Sequence, residues 1–252
     1  MLQTFADGRV FGEVVGAGPV DVVLLHGWAR RGRDFAGVQD RLAVRGVSSV
    51  ALDLPGFGSS PPPTVVGGAR HYAELVAPVL ADLGSPVVLV GHSFGGRIAT
   101  VIGAQHPEYV RALVVSGAPL LRADAPSLPP WRYRALRWLH RRGWLSHDRM
   151  EAVKRHYGSR DYRAASGVIR DVLVATVAEG YDDELRRLRV PVTFVWGELD
   201  DEIPVAMARL ADDLVPRDAT ARDRVRVVGG AGHLLPIEDP GSLAEAVLEA
   251  LA

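Results

Sequence analysis

Val87-Val88-Leu89-Val90-Gly91-His92-Ser93-Phe94-Gly95-Gly96 decides how this chain folds. Four aliphatic residues in a row, without polar alternation, read as a strand buried on both faces. Glycines then crowd one serine: Gly91 stands two before Ser93, and Gly95 and Gly96 follow it. Gly95 to Gln105 reads as a helix leaving that point. A G-x-S-x-G segment between a strand and a helix predicts a sharp turn with the serine at its apex, the small residues letting strand and helix approach. Ser93 then sits at a helix N-terminus, where the dipole favours developing negative charge. The plain alternative is Ser93 as an N-cap.

The same rhythm runs outward in both directions. Upstream, Arg9 to Val15 reads as an opening strand or hairpin with Gly16 to Gly18 as its turn. Val20 to Leu25 is a buried strand ending in His26-Gly27-Trp28, and a helix spans roughly Asp34 to Val44. Val47 to Leu52 is a strand closing on Asp53-Leu54-Pro55-Gly56-Phe57-Gly58, with a helix over Ala69 to Leu83. Downstream, Val110 to Ser116, Val192 to Trp196 and Val225 to Val228 read as strands, and Leu243 to Leu251 as a last helix. Short apolar strands alternating with amphipathic helices specify the α/β class: a mostly parallel sheet covered on both faces.

Residues 119–187 break the rhythm. That stretch is helical in period, poor in strand signals, and opens with the loop Ala125-Pro126-Ser127-Leu128-Pro129-Pro130. It reads as a helical cap inserted over the carboxyl ends of the strands, where ligands of open α/β sheets sit. The core domain is then residues 1–118 and 188–252. Between Arg122 and Arg170 stand 12 Arg/Lys against 4 Asp/Glu. Three readings follow: a solvated helical face, a cationic roof that steers an anionic small-molecule substrate, or Trp131, Leu136, Trp138 and Leu139 resting on a membrane surface. The first is the default for a charge run.

Composition narrows the classes. A chain of 252 residues with 48% hydrophobic residues buries a sizeable core. A net charge of −1 gives no reason to expect a nucleic-acid partner. Zero cysteines exclude disulfides, a thiol nucleophile and cysteine-ligated metals. Met1 to Gly8 lacks a basic segment followed by an apolar one, and no apolar run reaches the roughly 18 residues of a span, so the expectation is a soluble cytoplasmic protein. Nothing in the sequence specifies an oligomeric state.

A serine hydroxyl attacks poorly at neutral pH unless a base takes its proton, an acid orients the base, and donors receive the oxyanion. Donors are expected from the backbone N–H of Phe94, the residue after the serine, and of Trp28, with Gly27 allowing close approach. The acid is expected after a late strand. Trp196-Gly197-Glu198-Leu199-Asp200-Asp201-Glu202 offers four carboxylates, of which Asp200 is chosen; Asp201 and Glu202 read as helix-start charges, and Asp124 is a weaker alternative. The base is expected after the last strand, where Gly229-Gly230-Ala231-Gly232-His233 holds the one histidine. His26 precedes the serine and reads as a structural residue pinning the oxyanion loop, since the chain order on such folds is Ser, acid, His. His92 reads as packing beside the site, and Asp53 as a turn-capping side chain.

His26-Gly27-Trp28, Asp53-Leu54-Pro55-Gly56-Phe57-Gly58-Ser59, Gly91-His92-Ser93-Phe94-Gly95-Gly96, Trp196-Gly197-Glu198-Leu199-Asp200 and Gly232-His233 together resemble, in order, the motifs of the α/β-hydrolase fold family. The resemblance implies Ser93 as nucleophile, Asp200 as acid and His233 as base, with no cofactor and no metal. It also implies that residues 53–59 border the pocket. A serine nucleophile argues against the epoxide-hydrolase and dehalogenase branches, which attack with Asp. The expected function is hydrolysis of a small carboxylic ester or lactone through an acyl-enzyme. Its alternatives are C–C bond (meta-cleavage product) hydrolysis or thioester hydrolysis by the same triad, with a non-catalytic binding protein further behind.

Overall fold

In the computed structural model the described residues are 1–122, 136, 138–140, 142–146, 149–150, 160–217 and 224–252. Their strands are β1 (Leu2–Phe5), β2 (Val10–Val15), β3 (Val22–Leu25), β4 (Ser49–Asp53), β5 (Val87–His92), β6 (Val110–Ser116), β7 (Val192–Gly197) and β8 (Val225–Val228). They form one sheet in the order β1-β2-β4-β3-β5-β6-β7-β8. β1 and β2 pair antiparallel with their neighbours, and β4 through β8 run parallel.

Alternate side chains of each central strand enter opposite cores. Val22, Leu24, Val88, Val90 and Val114 pack on one face with Phe35, Val38 and Leu42 of α1 (Ala36–Val44, with Phe35 just before it) and with Leu243 and Val247 of the last helix. Val23, Leu25, Leu89, Leu113, Phe194 and Trp196 pack on the other, against α2 (Ala69–Asp82) and α3 (Phe94–Gln105). Burial on both faces is why these strands read as unbroken apolar runs.

Two expectations are corrected. The opening hairpin is made by β1 and β2, and its turn lies at Ala6-Asp7-Gly8, all three in the left-handed region, instead of at Gly16 to Gly18. The sequence Ala-Asp at those positions carries little turn signal beyond Gly8, which is why the edge strand β1 was not foreseen. The final helix starts earlier than Leu243: a short helix over Leu235–Glu238 leads into one over Pro240–Leu251, capped by Asp239.

Within residues 119–187 the described helices are α4 (Arg160–Ala164), α5 (Gly167–Ala178) and α6 (Asp182–Arg187); α7 (Val205–Leu214), α8 (Leu235–Glu238) and α9 (Pro240–Leu251) complete the series. The loop over 125–130, Asp124 and Trp131 lie outside the described residues. Both ends of the segment are tied down by one guanidinium: Arg97 of α3 donates to the Pro119 carbonyl (3.1 Å) and to that of Thr176 (3.0 Å). Arg70 of α2 grips the buried Glu184 with two bonds (2.7 and 3.0 Å). The two guanidiniums lie over the Tyr181 ring, 5.2 and 5.8 Å from its centroid. No described helix is long and apolar enough to cross a membrane.

Candidate active site

Ser93 follows the last residue of β5 with φ 51° and ψ −110°, a conformation costing an L-residue on the order of 1–3 kcal/mol. Surrounding contacts hold it there. Ser93 N–H donates to the Ser116 carbonyl of β6 (2.8 Å), and Gly95 N–H to that of His26 (3.0 Å). A Cβ on Gly91 would collide with the Gly95 carbonyl, and one on Gly96 would lie 2.6 Å from Ala118 Cβ. The glycines around the serine are therefore what lets β5 and α3 meet at this angle.

Asp200 and His233 are brought together from the ends of β7 and β8. The Asp200 carboxylate accepts from the backbone N–H of Glu202 (3.1 Å) and of Ile203 (2.8 Å) through Oδ1. That leaves Oδ2 for His233 Nδ1, at 2.9 Å. Trp196 Nε1 donates to the Ile203 carbonyl (2.7 Å), locking the turn that carries Asp200. With Nδ1–H given to Asp200, Nε2 of the neutral ring is left as the proton acceptor. Burial pulls the His233 imidazolium down, but the Asp200 hydrogen bond and charge, aided by Glu202 and Glu238, outweigh it, so the net shift is upward from the ordinary range. Nε2 lies 3.7 Å from Glu202 Oε2, and among the described residues the Ser93 hydroxyl makes no hydrogen bond. Catalytic hydrogen bonds often close only when substrate is present.

Glu238 has a part that nothing in its sequence context signals. Its two carboxylate oxygens accept from the N–H of Gly232 and of Leu234 (3.2 Å), one on either side of His233. His233 is thus held by its neighbours' backbone as well as by Asp200.

Trp28 and Phe94, read as oxyanion donors, leave their backbone N–H groups without a hydrogen-bond partner among the described residues. Their rings pack edge to face at 5.4 Å and are joined by Phe57 and Tyr72, so the loop after β3, the loop after β4 and the serine turn share one aromatic cluster. Each such pair contributes about 0.5–1.5 kcal/mol beyond burial. Gly27 lies where a Cβ would press on Ser93 Cβ (3.3 Å) and His92 (3.2 Å).

His26 is buried, its Nε2 accepting from Leu54 N–H (3.0 Å) and its Nδ1 meeting the Gly27 carbonyl (2.7 Å), so it ties the loop after β3 to the loop after β4. Burial pushes its pKa down to about 4. His92 is buried, with no partner at full hydrogen-bond geometry for either ring nitrogen among the described residues and only a weak approach to the Ser116 backbone, and its centroid lies 5.0 Å from that of His233. Burial, then the charges of His233 and Arg30, push it down to about 3. Asp53 spends its carboxylate on Gly32 N–H (2.8 Å) and Ser59 N–H (2.7 Å). Among the described residues no group of three or more His, Asp or Glu side chains is arranged to hold a metal ion.

Comparison with known proteins decides the lineage. The profile of the alpha/beta hydrolase family matches residues 22–246. The chain belongs to that family. It is 26% identical, over 96% of either chain, to the pimeloyl-[acyl-carrier protein] methyl ester esterase of Yersinia enterocolitica. Its fold superposes on the esterase EaEST of Exiguobacterium antarcticum with a TM-score of 0.73, at 20% identity over 100% of this chain and 99% of the other. It also superposes on the meta-cleavage product hydrolase CumD of Pseudomonas fluorescens with a TM-score of 0.70, at 19% identity over 98% and 96% of the two chains. As a member of this family, the protein is a hydrolase built on an eight-stranded α/β sheet.

Proposed function

We propose that this hydrolase cleaves a small carboxylic ester or lactone through an acyl-enzyme, with Ser93 as nucleophile, His233 as base and Asp200 as the orienting acid. The observation that carries the reading is the Asp200–His233 hydrogen bond (2.9 Å), which leaves Nε2 as acceptor, with the His233 ring 5.0 Å from that of His92, the residue before Ser93 in the strained turn.

The chemistry follows from those atoms. His233 Nε2 takes the Ser93 hydroxyl proton while Oγ bonds to the carbonyl carbon and the carbonyl electron pair moves to oxygen. The backbone N–H groups of Trp28 and Phe94 receive that oxyanion. The pair then returns, the carbon–oxygen bond to the leaving group breaks, and the leaving oxygen takes the proton from Nε2. A water molecule repeats the sequence: Nε2 takes its proton, its oxygen attacks the acyl carbon, and Ser93 Oγ leaves with the proton returned to it. Asp200 keeps its hydrogen bond to Nδ1 throughout and steadies the imidazolium.

The described helices α4 to α6, over residues 160–187, form the roof of this site in the proposed arrangement. Supporting this, Ile169 of α5 packs so closely on Gly56, in the loop after β4, that a Cβ there would collide with it. The relative from Yersinia is named for a methyl ester carried on acyl carrier protein. A methyl or other short-chain ester fits the same machinery, and the arginine-rich stretch from Arg122 to Arg170 suits an anionic substrate or the phosphate of a carrier arm.

Assaying p-nitrophenyl acetate and butyrate beside a ring-fission dienoate tests the reading. Ester turnover with a burst, lost on the order of 10⁶-fold in kcat in Ser93→Ala, is the expected result. Turnover of the dienoate without ester hydrolysis transfers the triad to C–C bond cleavage, and substantial ester activity in Ser93→Ala removes Ser93 from the mechanism.

A further inference from the structure

The base has an unexpected neighbour. Glu202, two residues after Asp200, places Oε2 3.7 Å from Nε2 of His233, the nitrogen that faces the reaction. Its position is set by the backbone: Glu202 N–H and Ile203 N–H both donate to Asp200 Oδ1, and the Ile203 carbonyl accepts from the Trp196 indole. The Glu202 side chain is 69% exposed, so it stands at the water-facing edge of the imidazole rather than in the core. Its sequence context reads as a helix-start charge, yet α7 begins only at Val205.

We propose that Glu202 sets the charge preference of this enzyme at the leaving group. The inference rests on the Ser93–His233 reading above. In that chemistry the leaving oxygen must come within hydrogen-bond reach of Nε2 to take its proton, which brings the alcohol portion of the ester within a few ångströms of a carboxylate. A negative charge two or three bonds beyond the leaving oxygen meets repulsion there, a neutral alcohol such as methanol meets none, and a cationic alcohol is attracted. The preference concerns the alcohol side alone, so an anionic acyl chain remains compatible with it. Because the carboxylate is exposed, the effect is moderate and weakens as salt rises.

The test holds the acyl group constant and varies only the alcohol's charge: butyrate esters of choline, of its neutral isostere 3,3-dimethylbutanol, and of 2-sulfoethanol. At low ionic strength the wild-type enzyme should favour the choline over the sulfoethyl ester by about ten-fold in kcat/KM after scaling to the neutral ester's reactivity. Glu202→Gln should bring the ratio near one, and Glu202→Lys should invert it. Asp201→Asn removes the same charge one residue away and should leave the ratio within about two-fold of wild type. A ratio untouched by Glu202→Gln and Glu202→Lys, or one moved equally by Asp201→Asn, overturns the proposal while leaving the ester-hydrolase reading intact. Retained turnover of all three esters in Ser93→Ala defeats that reading instead. If no ester turns over, the ratio is read from inactivation by phosphonates bearing the same three leaving groups; absence of both turnover and inactivation overturns both.

Discussion

Gly197 and Gly232 touch: a Cβ on Gly197, the last residue of β7, would run into the carbonyl oxygen of Gly232. The strand end that leads to Asp200 is thereby pressed against the loop that carries His233. Leu199 N–H to Ala231 carbonyl (2.8 Å) and Glu198 N–H to Val228 carbonyl (2.9 Å) stitch the same seam. The Asp200–His233 hydrogen bond bridges the same seam.

Gly197→Ala should therefore act on the pair from outside it. Pushing the 229–233 loop away by even an ångström misplaces Nε2, and the expected loss in ester kcat/KM is about 10²-fold. Stability should fall by about 1–3 kcal/mol from overpacking. Steady-state kinetics with a thermal melt separates the two effects. A variant of near-normal activity would mean that the seam does not position the base.

Glu238→Ala removes the acceptors for Gly232 and Leu234 N–H on either side of His233. We expect about a ten-fold drop in kcat with KM little changed, because substrate contacts are untouched. Glu238→Gln, which keeps one acceptor oxygen, should recover part of the loss.

Ester hydrolysis should fall as pH drops through the His233 pKa, which lies above the ordinary histidine value. The groups facing that ring are Asp200, Glu202, Glu238 and the neutral His92. Removing one nearby anion lowers the cost of losing the proton, so Glu202→Gln should move the acid limb of the kcat/KM profile to lower pH. A limb that stays put, or moves upward, contradicts this assignment of charges.

Folding stability should also fall in acid, but gradually over several pH units, because it is governed by other histidines. His26 and His92, depressed to about 4 and about 3, are neutral in both folded and unfolded chains above about pH 6.5, where their contribution is complete. Below that the unfolded chain takes up protons that the folded one refuses, so stability is lost progressively toward pH 4 and pH 3 at roughly 1.4 kcal/mol per pH unit for each ring. His233, shifted upward, offsets part of the loss, because its contribution is largest at low pH and disappears as pH rises through its folded value. Urea unfolding at pH 7 and pH 5 should show the drop, and His92→Phe should make it shallower.

How much of this was legible in the sequence depends on how local each signal is. Ser93, Trp28 and Phe94 are marked by glycines that only a tight strand–helix turn requires, and Val22 to Leu25 and Val87 to Val90 declare their double burial outright. Asp200 stood out among four carboxylates because it falls between the turn glycine and Ile203-Pro204. Glu238 and Glu202 were opaque for a physical reason. Their contacts with the His233 segment depend on where a surface helix folds back and which way an exposed side chain leans, and neither property has a residue-type signature. β1 was hidden because a short, exposed edge strand carries no periodicity to read.

The central claim is that Ser93 is the nucleophile and His233 its base. Intact-mass measurement after reaction with a fluorophosphonate, followed by peptide mapping, tests it most directly. The account predicts a single adduct on Ser93, absent from Ser93→Ala and formed at least about 10²-fold more slowly in His233→Ala. An adduct on another residue, or labelling of Ser93 at an unchanged rate without His233, would contradict it.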